Sequence, residues 1–388
     1  MKKRFLRDIA EIQTGPFGSQ LHKEDYVDVG TPIVTVEHLG SRVFSEQNLP
    51  MVSEADKSRL SKYVLKKGDI VFSRVGSIDR CSFVDQKHDG WMFSGRCLRV
   101  RPNEEVDSLF LYYFFCLNAT KEFVRSIAVG ATMPSINTKL LGEVEVICPE
   151  IEEQRKIADI LSKIDDKIEE NQKINNNLEQ QAQALVKEYC ASTDFEVPLG
   201  SIMNFVHGFA FQSKSYQKNG KYRIVTIKNV QDGRIDTQGA ACIDEVPAKM
   251  KNECYLQIGD ILLSLTGNVG RVGIVFENNL LLNQRVAKFT SSKDILPLLY
   301  FFFRLPETKV LLETIAKGTA QQNLSPIETL KLRFSYDEDK ALILSQTLKP
   351  MFDSIVNNSV ESSKLAQLRD SLLPKLMSGE LDVSDIDI

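Results

Sequence analysis

The sequence has few of the residues from which metal centres and disulfide frameworks are built. Its seven cysteines are odd in number and form no CxxC pair. Its four histidines stand at no metal-ligand spacing: His22, His38, His88 and His207. A zinc ribbon or a disulfide scaffold is therefore not expected, and a reducing compartment suits the chain. We expect no metal site.

Long hydrophobic runs are also missing. The most apolar stretches, 109–117 and 296–303, are far shorter than the roughly 18 residues that a membrane-spanning helix needs. The basic start, Met1–Phe5, leads into no apolar segment of the kind that a secretory signal carries. We therefore expect a soluble, cytoplasmic protein.

Motifs of catalysis are missing as well. The sequence contains no GxxxxGK[ST] phosphate loop, no HExxH and no Asn-Pro-Pro-aromatic segment of the kind that amino-methyltransferases use. The segment Gly267–Gly273 has the spacing GxxGxxG, which we interpret as a turn, because glycine punctuates turns far more often than it marks a cofactor site. We expect no cofactor in this chain and no catalytic residues.

What the sequence does contain is a duplication. Its 388 residues, 43% hydrophobic and 26% charged, suffice for two or three globular domains. The segment Gly68–Gly76 recurs as Gly259–Gly267, and the apolar run 111–115 recurs as 299–303. Several such matches in the same order predict that one module is duplicated within the chain.

Each copy is expected to have two parts. Short β-like runs and one apolar helical stretch predict an α+β module, and a following segment without internal breaks predicts a long helix. We assign 1–150 and 194–337 to the two modules, and 151–193 and 338–388 to the helical segments. Pro350 and Pro374 lie within the second helix and predict a kink or a break there.

Apolar residues recur every seven positions along both helical segments, with an asparagine at one equivalent position in each. Such a stripe most often means only that a helix packs on something. Two matched stripes favour the sharper interpretation, in which the helices pack on each other as an antiparallel coiled coil between the two modules. The residues predicted to pair are Ile157, Ile164, Asn171, Leu178, Leu185, Leu344, Met351, Asn358, Leu365 and Leu372.

The formal net charge of −4 is divided unevenly between these parts. The two modules together carry +3, whereas the two helical segments carry −7. If the chain binds a nucleic acid, the charge split predicts that the modules contact it and that the acidic helices face solvent or a protein partner. Because the modules are only weakly positive, we expect a partner to supply further basic surface.

Two segments resemble a known family. Pro149–Ala158, followed by Ile160–Asp165, is similar to the central helical region of type I restriction-modification specificity (S) subunits. Leu365–Leu381 resembles the C-terminal segment of that family. The second helix departs from the pattern, since it opens with Asp337-Glu338-Asp339 where the family more often carries Pro-Leu-x-x-Gln, and its start is not fixed by the motif.

This resemblance implies a non-catalytic subunit with two target-recognition domains. Each domain would read one half of an asymmetric bipartite sequence in double-stranded DNA, and the helices would set the spacing. The helices would also dock two adenine methyltransferase (modification) subunits, with restriction subunits as optional further partners. S-adenosylmethionine, ATP and magnesium would then belong to the partners, as would methyltransferase and endonuclease activity.

Candidate DNA-contacting residues are polar side chains in the turns of both modules, because such side chains read base edges or hold phosphates. They are Ser19, Gln20, His22, Lys23, Ser73, Arg74, Ser77, Arg80, Gln212, Ser213, Lys214, Ser264, Thr266, Asn268, Arg271, Gln321, Gln322 and Asn323. Polar residues in turns often do no more than form the turn. Arg80 and Arg271 occur in both copies, so we expect them to hold phosphate and Arg271→Ala to weaken binding to all DNA about equally.

Two alternatives remain open at this point. The chain could be the recognition subunit of another restriction-modification class, or a coiled-coil scaffold that bridges proteins without DNA specificity. A sequence-dependent mobility shift in the presence of the partner methyltransferase distinguishes the scaffold from the recognition subunit.

Overall fold

The computed structural model describes residues 2–16, 18, 20–318 and 322–383, except for the side chain of Lys23. Their contacts divide the chain into two compact units. Unit 1 contains the residues up to Asp166 together with those from Leu365 onward, and unit 2 contains Lys167–Lys364. Each unit thus combines one predicted module with a section of both helical segments.

Unit 1 contains two four-stranded sheets and a two-stranded one. The strands are β1 (Lys2–Phe5), β2 (Ala10–Thr14), β3 (Tyr26–Val27), β4 (Thr31–Val34), β5 (Met51–Val52), β6 (Ile70–Ser73), β7 (Cys81–Phe83), β8 (Met92–Phe93), β9 (Cys97–Pro102) and β10 (Glu145–Cys148). The sheet orders are β2-β9-β6-β7, β3-β5-β4-β8 and β1-β10. All pairings are antiparallel except that of β4 with β8. The short helices are α1 (Leu6–Ile9), α2 (Glu54–Arg59), α3 (Ser108–Cys116), α4 (Asn118–Ser126) and α5 (Thr138–Gly142).

The long helix α6 (Ile151–Ala191) follows and runs from unit 1 into unit 2. The strands of unit 2 are β11 (Glu196–Pro198), β12 (Asn204–His207), β13 (Tyr222–Val225), β14 (Gly233–Arg234), β15 (Cys242–Ile243), β16 (Tyr255–Leu256), β17 (Ile261–Ser264), β18 (Val272–Ile274), β19 (Leu280–Leu282), β20 (Val286–Thr290) and β21 (Arg333–Ser335). They form sheets in the orders β12-β20-β17-β18-β14, β15-β13-β19-β16 and β11-β21. The helices are α7 (Leu296–Phe303), α8 (Pro306–Ile315), α9 (Pro326–Leu330) and α10 (Glu338–Ser378).

The strand after each Gly-Asp pair lies at the centre of its unit. In β6, Ile70 and Phe72 point into the core beneath α3, whereas Val71 points into the core of the second sheet. The same alternation recurs in β17, where Leu262 faces the second sheet. Burial on both faces explains why these strands read as continuous apolar runs.

The turn before each of these strands is also repeated. Gly68 and Gly259 both have φ of +91°, a conformation in which a Cβ would be strained. The carboxylate of Asp69 accepts a hydrogen bond from the Lys66 amide, and that of Asp260 accepts one from the Gln257 amide, each at 2.8 Å. The Gly-Asp signature is therefore a turn-forming device.

Sections of α6 and α10 pack against each other within each unit, and the contacts run antiparallel. In unit 2, Asn171 donates to Ser362 and Asn175 donates to Ser359, so the partner number falls as the α6 number rises. In unit 1, Asp165 forms an ion pair with Arg369. Asn171 and Asn358, which the sequence places at equivalent positions of the two helices, are in contact, since the Asn171 amide donates to the Asn358 carbonyl at 3.4 Å.

The predicted pairing stripe is correct only in part. Ile157 and Asn171 are buried, but the other predicted positions are half-buried: Ile164, Leu178, Leu185, Leu344, Met351, Asn358, Leu365 and Leu372. The deepest positions lie beside that stripe and include Leu161, Asn175, Ala182, Val186, Ala341, Leu348, Phe352 and Ile355. The reason is that each helix also packs on its globular part, which requires a wider face than a heptad seam provides.

Of the kink or break predicted in the second helix, the break is wrong. Helix α10 is continuous from Glu338 to Ser378, and both Pro350 and Pro374 lie on its exposed side. On that side, a carbonyl that loses its proline partner can bond to water.

Candidate nucleic-acid interface

The turn that follows the central strand is closed in the same way in both units, although its backbone differs at one position, where Gly270 has a φ of +78° and its counterpart Asp79 has no positive φ. The Ser73 amide donates to the Arg80 carbonyl, and the Ser264 amide donates to the Arg271 carbonyl, both at 2.9 Å. Gly76 and Gly267 have φ of +73° and +74°. We call these segments, residues 74–80 and 265–271, the reading turns of units 1 and 2.

A second loop lies against each reading turn. In unit 1 the Gly76 amide donates to the Pro134 carbonyl at 2.8 Å. In unit 2 the Gly267 amide donates to the Gln322 carbonyl at 3.0 Å, and Thr266 forms a bridge with Asn323. Of the candidates in this loop, Gln322 and Asn323 are thereby brought to the reading turn, and both are exposed. Gln321 lies outside the described residues.

In each unit, a glycine just after strand β2 or β12 lies close to the segment that leads into β9 or β20. Gly15 in unit 1 packs so closely on the Ser94 carbonyl that a Cβ would collide with it, and Gly208 in unit 2 packs in the same way on the Asn283 carbonyl. The candidates that follow these glycines are exposed, namely His22, Gln212, Ser213 and Lys214, whereas Gln20 is half-buried. The Gln20 side chain accepts a hydrogen bond from the Tyr63 hydroxyl at 2.7 Å. Ser19 and the Lys23 side chain lie outside the described structure.

Three candidate residues face inward, which corrects the sequence prediction. Ser73 and Ser264 are 1% and 0% exposed, and Thr266 is 8% exposed. The Ser73 hydroxyl donates to the Val75 carbonyl, and the Ser264 hydroxyl donates to the Thr266 carbonyl. These side chains stabilise the reading turns from inside, so their positions do not suit contact with DNA.

The arginine that both copies share also has a hydrogen-bond partner within the protein. The Arg80 guanidinium donates to the Leu39 carbonyl. That of Arg271 donates to the Gln231 side chain at 2.6 Å. Each arginine thus holds a neighbouring loop against the reading turn. The presence of the same arginine in both copies does not by itself distinguish this structural role from phosphate binding.

The remaining candidates of the reading turns face outward to different degrees. Ser77 in unit 1 and Asn268 in unit 2 are exposed. Arg74 is half-buried and donates to the Gly95 carbonyl at 3.2 Å. The exposed polar side chains therefore differ between the units, although both turns are closed by the same backbone hydrogen bond.

Two exposed residues that the sequence analysis did not single out, Arg96 and Arg285, also lie beside these turns. The Arg96 carbonyl accepts from the Arg74 amide at 2.8 Å, and the Arg285 carbonyl accepts from the Leu265 amide at 3.2 Å. Both side chains are exposed beside the reading turns. The signal that could have found them is their equivalent place in the duplication, one residue before β9 and β20.

The described residues contain no group of three or more His, Cys, Asp or Glu side chains placed to hold a metal ion. Within the same part of the chain, no helix combines the length and the apolar character that crossing a bilayer requires. The site offers hydrogen-bond donors, acceptors and positive charge on paired loops, which is the chemistry of recognition.

Comparison with known proteins identifies the family to which the sequence is similar. The model of the type I restriction modification DNA specificity domain matches residues 1–180 and again residues 193–353. The specificity subunit of type I restriction enzyme MjaIX from Methanocaldococcus jannaschii is 27% identical, with 98% of this chain and 93% of the relative covered. The HindI specificity subunit from Haemophilus influenzae is 24% identical, with 83% and 88% covered.

Among solved structures, the S subunit of the type I restriction-modification system from M. genitalium superposes with a TM-score of 0.58. The two chains are 18% identical, and the match covers 97% of this chain and 95% of the other, so the likeness concerns the fold. The predicted duplicated α+β architecture and the predicted family are confirmed. Because the family model matches twice and covers most of the sequence, this chain belongs to the type I restriction-modification DNA specificity family and carries two copies of its domain.

Proposed function

We propose that the two reading turns, with the loops beside them, each read one half of an asymmetric bipartite sequence in double-stranded DNA. The observation that carries this proposal is that both turns are closed by the same backbone hydrogen bond but carry different exposed side chains, Ser77 in one unit and Asn268 in the other. The shared closing hydrogen bond and the shared conformation of Gly76 and Gly267 would present both turns to DNA in the same way, whereas different polar groups prefer different bases.

The proposal assigns chemistry to partner subunits. The family is non-catalytic, so methyl transfer and DNA cleavage in an assembled complex would be the work of other chains. The acidic helical segments, which carry −7, are suited to docking basic partner surfaces, and two methyltransferase subunits are the partners we propose. S-adenosylmethionine, ATP and magnesium would bind to those partners, in the cytoplasm.

Co-expression followed by methylome sequencing tests this function. The chain would be produced together with a type I methyltransferase subunit from the same organism, in a host without other restriction-modification systems. We expect adenine methylation at one motif with two specified halves and an unspecified gap of constant length. Cells that lack the gene for this chain should show no methylation at that motif.

Two matched variants test which residue reads the bases of each half of the motif. Ser77→Ala should relax the motif in one half only, and Asn268→Ala in the other half only, since the two residues occupy equivalent turns. A continuous motif, or methylation that is independent of this chain, would overturn the proposed function. The scaffold alternative is supported instead if the chain binds the methyltransferase but the pair shows no sequence-dependent shift of DNA.

A further inference from the structure

Arginine side chains in the globular part of unit 1 are nearly all engaged by the protein itself. Arg96 is exposed, and its guanidinium has no partner among the described residues. Every other arginine between residues 2 and 150 donates to a carboxylate or a carbonyl of the chain. These engaged arginines are Arg4, Arg7, Arg42, Arg59, Arg74, Arg80, Arg99, Arg101 and Arg125.

Unit 2 has an arginine in the same state at the equivalent position. Ser73 pairs with Cys97 across the sheet, and Ser264 pairs with Val286, so the preceding residues, Arg96 and Arg285, are equivalent in the duplication. Arg285 is exposed, and in the described structure its guanidinium has no partner either. The duplication has therefore kept a free cation at one place in both units.

That place adjoins the proposed reading surface. The carbonyls of Arg96 and Arg285 accept hydrogen bonds from Arg74 and Leu265, the first residues of the two reading turns. An arginine held here by its backbone, with a free side chain, keeps its full charge and all of its donors available. A guanidinium binds phosphate oxygens bidentately, and no internal ion pair has to break first.

We propose that Arg96 and Arg285 are a matched pair of contacts to DNA backbone phosphate, one in each unit, and that they hold the reading turns against the duplex without selecting bases. This inference rests on the proposed function and extends it. A residue that is the same in both units cannot distinguish two different half-sequences, whereas phosphate is the same at every position of DNA. The base-reading role remains with residues that differ between the units.

A salt series tests the pair. The full chain, assembled with its methyltransferase, would be titrated with a fluorescent duplex that carries the methylated motif and with a duplex of scrambled sequence. Each phosphate contact contributes about 0.9 to the slope of log affinity against log salt, so Arg96→Ala and Arg285→Ala should each reduce the slope by about 0.9. Between 50 and 200 mM salt, each variant should lose about 3.5-fold less affinity than the wild type. The affinity ratio of target to scrambled duplex should stay unchanged.

Three control variants sharpen the result. Arg96→Lys keeps the charge and should restore the slope. Arg7→Ala removes an exposed arginine that is already paired with Glu143, away from the reading turns, and it should leave the slope unchanged. Arg234→Ala removes an exposed arginine of unit 2 that has no partner in the described structure, so it measures the generic effect of losing one positive charge.

The outcomes separate this inference from the function on which it rests. An unchanged slope in Arg96→Ala and Arg285→Ala overturns the phosphate contacts, as does an equal effect of Arg234→Ala. A change of preference at one base position overturns the sequence-independent role. If the wild-type complex does not distinguish the target from the scrambled duplex, the proposed function itself fails.

Discussion

The ion pair between Asp165 and Arg369 is the contact whose loss should be most visible in unit 1. Their side chains are 8% and 30% exposed, and the Arg369 Nη1 atom lies 2.6 Å from the Asp165 Oδ1 atom. The other carboxylate oxygen accepts a hydrogen bond from the buried Tyr113 hydroxyl at 2.8 Å. This cluster joins α6, α10 and α3 within unit 1.

Arg369→Leu should lower the free energy of unfolding of unit 1 by about 2 kcal/mol. Removing one member of a fully buried pair costs about 3–5 kcal/mol because the other charge is left without its partner. The partial exposure of Arg369 reduces that figure, since water screens part of the interaction. With a urea dependence of about 2 kcal/mol per molar, the midpoint should fall by about 1 M.

The single tryptophan of the chain makes the measurement specific to unit 1. Trp91 lies in that unit, with its ring centroid 4.5 Å from the His88 ring, so its fluorescence reports the unfolding of this unit. Asp370→Asn is the matched control. Arg369 also pairs with Asp370, but that carboxylate is 66% exposed, and its loss should cost at most about 0.5 kcal/mol.

A second substitution decides whether the buried charge is the cause. In the Arg369→Leu background, Asp165→Asn should restore about 1 kcal/mol, because the amide oxygen still accepts from Tyr113 while the unpaired charge is gone. If the two substitutions are instead additive, the destabilisation comes from lost packing of the Arg369 side chain, and the ion-pair reasoning is wrong.

Two further predictions concern other buried groups. Asn175→Ala should destabilise unit 2 by about 1–3 kcal/mol, because it removes the hydrogen bonds to Ser359 at 3.1 Å and from Asn358 at 2.9 Å. Far-UV circular dichroism should show this loss while the Trp91 transition stays in place, and a shift of both transitions would contradict it. Burial raises the pKa of the Cys97 thiol to about 12. Cys97 should therefore resist iodoacetamide at pH 8 in the folded chain and react in urea, with peptide mass spectrometry as the readout; rapid labelling of folded protein would contradict this.

Much of the fold could be predicted from the sequence because the duplication supplies an internal comparison. The segments at Gly68 and Gly259 match because the same turn and the same doubly buried strand require the same residues in both units. The packing face of the helices was harder to predict. A sevenfold repeat identifies a stripe, but Leu161 and Ala182 lie beside it, where the helix meets strands and short helices that are distant in sequence.

The candidate site could be located from the sequence, but the role of each residue in it could not be predicted. Ser73 and Ser264 end strands that are buried on both faces, so alternation gives no sign of which way their hydroxyls point. The identity of Arg80 and Arg271 in both copies indicates a shared role, which turned out to include holding Leu39 and Gln231. Arg96 stands in no motif, and only the sheet register places it beside a reading turn.

The duplication separates what the fold requires from what recognition can vary. Asp69 and Asp260 cap the same turn and each pair with a cation from the adjacent strand, Arg101 in one unit and Lys288 in the other. Changes at such buried, bonded positions destabilise a unit, whereas a change at exposed Ser77 or Asn268 stays within about 0.5 kcal/mol. Under the proposed function, the two reading turns can therefore diverge in sequence preference without cost to the fold, and the exposed arginine at the equivalent position beside each turn is the constant contact that the proposed phosphate binding requires.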